Sequence, residues 1–153
     1  MTQESEKIKK MEMWERRQEK LEERCLTDEE YVLQRYAFRG SIYLVEFGEN
    51  IGVEISKKRP ALVVSKNHFN KYSGNVIVVP LTKNLIKDDS KNLPKYPQHY
   101  FIYKSRYPFL DFDSCAECEQ VRAISKMRVR KFLGNLSPHD VSIISKKLSK
   151  FIS

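Results

Sequence analysis

Residues 57–84 read KKRPALVVSKNHFNKYSGNVIVVPLTKN. Two apolar, β-branched runs stand in this stretch, PALVVS at 60–65 and NVIVVPL at 75–81. Between them lie turn formers, notably Asn70 and the pair Ser73-Gly74. Runs of that length and composition, bounded by turn residues, predict two neighbouring strands buried inside a sheet. Arg59 stands immediately before the first run and Thr82 immediately after the second. Strands end in polar residues wherever they end in water. The more specific reading is that these two ends converge on a negatively charged group.

The rest of the chain has the same β texture from Arg39 onward. Residues 41–47 (SIYLVEF), 99–104 (HYFIYK) and 114–124 (SCAECEQVRAI) read as further strands. Residues 48–58 read as a polar loop, and 83–98, with Pro94 and Pro97, as a long exposed one. Gly134 to Asp140 marks a helix start, with Ser137 as N-cap, Pro138 at the first helical position and Asp140 in the first turn. Val141, Ile144, Leu148 and Phe151 then form the apolar stripe of a closing helix, with Lys146, Lys147 and Lys150 toward its end. The expected architecture is α+β: a small, strongly bent antiparallel β-barrel with a helix at each end.

Residues 1–38 are different in kind. Residues 4–25 contain no Gly or Pro, and Ile8, Met11, Trp14, Leu21 and Cys25 share one helical face. Thr27-Asp28-Glu29-Glu30 is a capping box that predicts a second short helix to about Tyr36. The expected division is therefore a helical arm, 1–38, and a body, 39–153. The arm holds eight Lys/Arg against ten Asp/Glu, whereas the body holds 20 against ten. The basic excess belongs to the body, and such a surface favours a polyanion through counterion release.

The polar start and the lack of any apolar run long enough to span a bilayer predict a soluble, cytoplasmic protein with no membrane association. The three cysteines, an odd number without an export signal, argue against structural disulfides. Cys115 and Cys118 have a CxxC spacing but no second pair, and Cys25, His68, His99 and His139 are scattered. No metal and no cofactor are expected.

Several quoted motifs, taken in order, resemble one family. Arg39-Gly40-Ser41-Ile42-Tyr43, Gly52-Val53-Glu54, the run from Arg59-Pro60 to Ser65, and Asn70 to Gly74 followed by Val76–Val79 and Thr82 resemble the MazF/PemK toxin endoribonucleases. Glu119-Gln120-Val121-Arg122-Ala123-Ile124 and Gly134-Asn135-Leu136-Ser137 continue the resemblance to the end of the chain. It implies an SH3-like barrel, a homodimer, and metal-independent cutting of single-stranded RNA held in check by an antitoxin protein. It also implies that Arg59 and Thr82 form the catalytic pair. Glu54 matches a loop glutamate that serves as base or orients the arginine, and Glu119 matches an acidic position used in cutting by some relatives. One departure is plain: the family often has Gly-Ser-Glu-Gln where this chain has Gly52-Val53-Glu54-Ile55.

These roles suit the side chains. An arginine fork donates to phosphoryl oxygens in a fixed geometry and stays charged, and a threonine hydroxyl can donate to the same oxygens. No histidine pair for acid–base exchange is evident along the chain. Lys57, Lys58, Lys66 and Lys71 are expected to track phosphates, Phe69 and Tyr72 to stack on bases, and Asn70 and Gln120 to read base edges. The alternative reading is a non-hydrolytic, CcdB-like poison that acts by binding gyrase, because one fold hosts both activities.

Overall fold

The computed structural model describes residues 37–48 and 58–152. Residues 1–36 of the helical arm, its capping box and Cys25 included, and Glu54 and Lys57 lie outside the described residues. Within them, strands β1 (Ser41–Glu46), β2 (Lys58–Val63), β3 (Asn75–Thr82), β4 (His99–Ile102), β5 (Ser114–Glu117), β6 (Arg122–Ser125) and β7 (Val129–Asn135) form one seven-stranded sheet. Two helices accompany it, α1 (Asn67–Tyr72) between β2 and β3, and α2 (Pro138–Ile152) after β7.

The strand order is β4-β5-β3-β2-β1-β7, with β6 also on β3, and each pair with a given register is antiparallel. Strand β3 is the hinge of this arrangement. One edge pairs with β2, and the other is shared, Asn75–Val78 with β6 and Leu81–Thr82 with β5. Pro80, with no N–H to give, falls in the gap between those two ladders. The expected α+β class is right, but β4 and β7 remain as ends of the strand order, so the sheet is not closed into a barrel by hydrogen bonds among the described residues.

Alternation along the strands produces two cores, because directly paired residues in an antiparallel sheet share a face. Ile42, Leu62, Val79, Leu81 and Ala116 turn one way and pack with Leu136, Val141 and Ile144 from α2 and its approach. Tyr43, Val45, Ala61, Val63, Val76 and Val78 turn the other way and pack with Phe47, Ile124 and Val129. The two runs of residues 60–65 and 75–81 are apolar throughout because both of their faces are covered.

The sequence reading missed β7 and placed Gly134 and Asn135 in a helix start. They close β7 instead, paired with Ile42 and Ser41. Glycine is required at 134: a Cβ there would lie 2.3 Å from the Phe109 ring. Residues 66–74, read as a turn, contain the six-residue α1.

Helix α2 is anchored by a buried carboxylate. Ser137 caps as expected, its Oγ accepting from the Asp140 N–H at 3.1 Å. The Asp140 carboxylate accepts the Tyr100 hydroxyl at 2.6 Å and the Tyr107 hydroxyl, and Arg106 lies 3.4 Å away. The Tyr107 oxygen in turn accepts from the Ser137 N–H at 3.1 Å. Burial alone would raise the Asp140 pKa, but the two tyrosine bonds, Arg106 and Ser137 outweigh it and hold it below 3.8. A carboxylate whose folded value is lowered stabilises fully above its unfolded value and loses that contribution as pH falls through the folded one. Asp140→Asn should therefore cost about 1–3 kcal/mol at pH 7. Thermal melts should show the wild-type advantage fading below about pH 3.8. A difference that stays constant down to pH 2 would mean that the charge is not its source.

Candidate active site

Arg59 is the second residue of β2 and Thr82 the last of β3, at the same end of the strand pair. Ala61 and Pro80 are directly paired, and Arg59 and Thr82 lie two residues beyond them on the same face. The next strands extend that face. Thr82 pairs with Cys115, and Glu117, two residues further along β5, pairs with His99 of β4. Strand alternation thus gathers Arg59, Thr82, Glu117 and His99 on one side of the sheet, and the 3₁₀ turn Cys118–Gln120 adds Glu119.

The contacts bear this out. His99 is 3% exposed, and its Nε2 lies 3.1 Å from Glu119 Oε2. One ligand atom from each of His99, Glu117 and Glu119 falls within 4.8 Å of the others. Burial and then the charge of Glu119 push the Glu117 carboxyl above its ordinary range, while His99 and Arg59 pull it back. Arg59 therefore lies within electrostatic reach of Glu117. Its Nε, Glu119 Oε1 and His99 Nδ1 are all shielded from solvent without a hydrogen-bond partner among the described residues. Thr82 Oγ1 accepts from the Asn84 N–H at 3.2 Å, which leaves its own proton free to donate.

Sequence reasoning named Arg59, Thr82 and Glu119 as candidates but passed over two residues that the fold sets on the same side. His99 looked too distant along the chain, and Glu117 was not considered. The available signal was parity. Once Thr82 is set beside Cys115, alternation turns Glu117 to the same face, and its partner in β4 follows.

The expected RNA-contacting residues divide into two groups. Lys58 is exposed beside Arg59, and Gln120 is exposed next to Glu119. Lys66, Phe69, Lys71 and Tyr72 are exposed too, but they lie before or within α1, at the opposite end of the β2–β3 pair. Lys66 follows Arg59 by seven residues, a span of roughly 20 Å in extended chain. These four residues do not gather around Arg59 in the fold. At its own end, α1 carries Tyr72, 71% exposed, with the His68 ring 5.0 Å and Lys71 Nζ 5.5 Å from the Tyr72 ring.

Asn70 does not stand on the rim at all. It is 3% exposed, its Nδ2 donates to the Ser65 carbonyl at 2.9 Å, and its Oδ1 accepts the Ser65 hydroxyl. Ser65 Oγ also accepts from the Ile77 N–H at 3.0 Å, so Asn70 ties α1 to the start of β3. Both ends of its amide are occupied internally, which removes it from the base-reading set. Cys115 and Cys118 are buried free thiols, pushed up by burial to about 12 and about 11, as expected of apolar core residues rather than nucleophiles.

With this geometry in hand, a family profile described as the PemK-like, MazF-like toxin of type II toxin–antitoxin systems matches residues 38–152. The chain belongs to that family. Two curated relatives, from Staphylococcus saprophyticus and Staphylococcus epidermidis, are each named Endoribonuclease MazF. Each is 36% identical over 99 residues, which is 65% of this chain and 77% of the relative. Among solved structures, MazF from Deinococcus radiodurans superposes with a TM-score of 0.61 at 18% identity, covering 76% of this chain and 96% of that one. A mycobacterial endoribonuclease in complex with its cognate antitoxin gives 0.55 at 19%, covering 74% and 91%. No helix among the described residues is long and apolar enough to cross a membrane.

Asn70→Ala should lower stability by about 1–3 kcal/mol, since it leaves the buried groups of Ser65 without their partner. Urea denaturation is the check, and an unchanged midpoint would return Asn70 to the candidate RNA contacts.

Proposed function

We infer that this chain is an endoribonuclease toxin that cuts single-stranded RNA by internal 2′-hydroxyl attack, without a metal in the reaction. The observation that carries this reading is the placement of Arg59 and Thr82 at one end and on one face of the β2–β3 pair, beside the His99–Glu119 pair. In the proposed step the 2′-oxygen bonds to the adjacent phosphorus and the bond from phosphorus to the 5′-oxygen breaks. The products are a 2′,3′-cyclic phosphate and a 5′-hydroxyl end, the departing 5′-oxygen taking its proton from water. Arg59 donates to the non-bridging oxygens, where negative charge builds in the transition state. The Thr82 hydroxyl, its lone pair engaged by Asn84, donates to the same group or holds the 2′-hydroxyl in line.

Glu119 is the proposed base for the 2′-hydroxyl proton, with His99 holding its carboxylate in place through the 3.1 Å contact. Glu54, four residues before Lys58 in the sequence, is the second carboxylate proposed. Lys58 and Gln120 border the cut site. Lys57 adds its charge next to Lys58 in the sequence, while Lys66, Phe69, Lys71 and Tyr72 receive a more distant part of the strand. Solved MazF relatives in complex with an antitoxin support a cognate antitoxin as the natural partner, and the family supports a homodimer as the working unit.

The test is to incubate the purified full chain with a long single-stranded RNA in EDTA, beside Arg59→Ala. Discrete cuts bearing 5′-hydroxyl and cyclic phosphate ends are expected, with the rate falling about 10²–10³-fold in the variant. Undiminished cutting by a folded Arg59→Ala protein would overturn the assignment.

A further inference from the structure

The cluster beside Arg59 has a second chemical capacity. His99, Glu117 and Glu119 come from the start of β4, the end of β5 and the 3₁₀ turn that follows. Each offers a ligand atom, and these lie within 4.8 Å of one another. An imidazole with two carboxylates is a ligand set of the zinc type. Three protein ligands leave the fourth position of a tetrahedral ion to water. With bonds of about 2.0–2.1 Å, tetrahedral ligand atoms stand roughly 3.3 Å apart, so closure needs side-chain movements of about an ångström. Magnesium, which favours an octahedral shell of oxygens, fits the imidazole poorly.

A second, independent observation points to a cation. Glu119 Oε1 is shut off from solvent with no donor, although its residue carries a carboxylate with four lone-pair sites. Unsatisfied buried acceptors of this kind are costly, and a bound cation is one of the few partners that satisfies them. His99 contributes a ring already in contact with the same carboxylate and 97% buried, so its orientation is fixed by packing rather than by the ion.

We infer that His99, Glu117 and Glu119 form a binding site for a zinc-type divalent ion, and that occupancy switches the toxin off. The second half of this inference rests on the function proposed above. A metal ion on Glu119 takes the lone pairs that the 2′-hydroxyl proton needs, and its charge repels Arg59 from the same carboxylates. The ion acts as an inhibitor of a reaction that needs none, so chelation restores activity rather than abolishing it.

The experiment titrates ZnCl₂, and separately MgCl₂, into the metal-free full chain under reducing conditions, followed by calorimetry and thermal melts. One zinc per chain is expected, with Tm raised by about 5 °C or more at saturation and no response to magnesium. Glu117→Gln, at a half-exposed position that leaves the fold intact, should weaken zinc binding at least tenfold. His99→Gln should do the same if it folds. Absence of a Tm shift, or a zinc isotherm unchanged by Glu117→Gln, would overturn the site. In the RNA assay, saturating zinc should stop cutting and EDTA should restore it. Zinc binding with full activity would remove the inhibitory role while leaving the site. A protein that binds zinc but never cuts RNA would fail the proposed function and not the site.

Discussion

Strand β3 has to satisfy two backbone edges and two side-chain faces at once, and the rest of the molecule is arranged around that demand. No single neighbour covers its second edge. The strand hands over from β6 to β5 across the gap at Pro80, which brings a short β5 alongside Thr82. The same handover carries β4 with it, since β4 pairs only with β5 among the described strands. The residues around Arg59 are thus brought together by the pairing of the sheet, and their side chains do not need to find one another. Alternation does the remaining sorting. Leucine, isoleucine and valine at odd steps from Arg59 go under α2, while Arg59, Thr82, Glu117 and His99 share the face of the second core.

Much of this was legible beforehand wherever the signal was local. The strands around residues 60–65 and 75–81, the Ser137 cap and the polar pair at their ends could each be read from a few consecutive residues. Long-range pairing was not legible in that way. His99 and Glu117 are 18 residues apart and meet only because β4 and β5 fold back on one another. Asn70 misled because asparagine in a turn-like stretch suggests an exposed amide, whereas tertiary packing buried it against Ser65. Gly134 misled for a similar reason. A glycine near a helix cap reads as punctuation, but here it is a strand residue whose missing Cβ leaves room for the Phe109 ring.

The cluster beside Arg59 is also where the structure departs most from its own rules. Asp140 offers the contrast, with two tyrosine hydroxyls donating to its carboxylate and Ser137 capping its N–H. Around Arg59 and Glu119 buried donors and acceptors are left open, and two carboxylates lie close enough for one to raise the other's pKa. Local inconsistency within a well-satisfied fold is what a ligand-binding site looks like before its ligand arrives. A phosphodiester and a divalent ion would relieve different parts of it, the first at Arg59 and the second at the carboxylates.

The order of elements along the chain has a consequence for synthesis. Arg59 and Thr82 emerge from the ribosome early, but Glu117 and Glu119 follow some sixty residues after Arg59. The core that supports their sheet is completed only by α2, the last element of the described chain. A partly translated polypeptide therefore carries the arginine and the threonine with no assembled centre around them. The centre can therefore assemble only after most of the chain, α2 included, has left the ribosome.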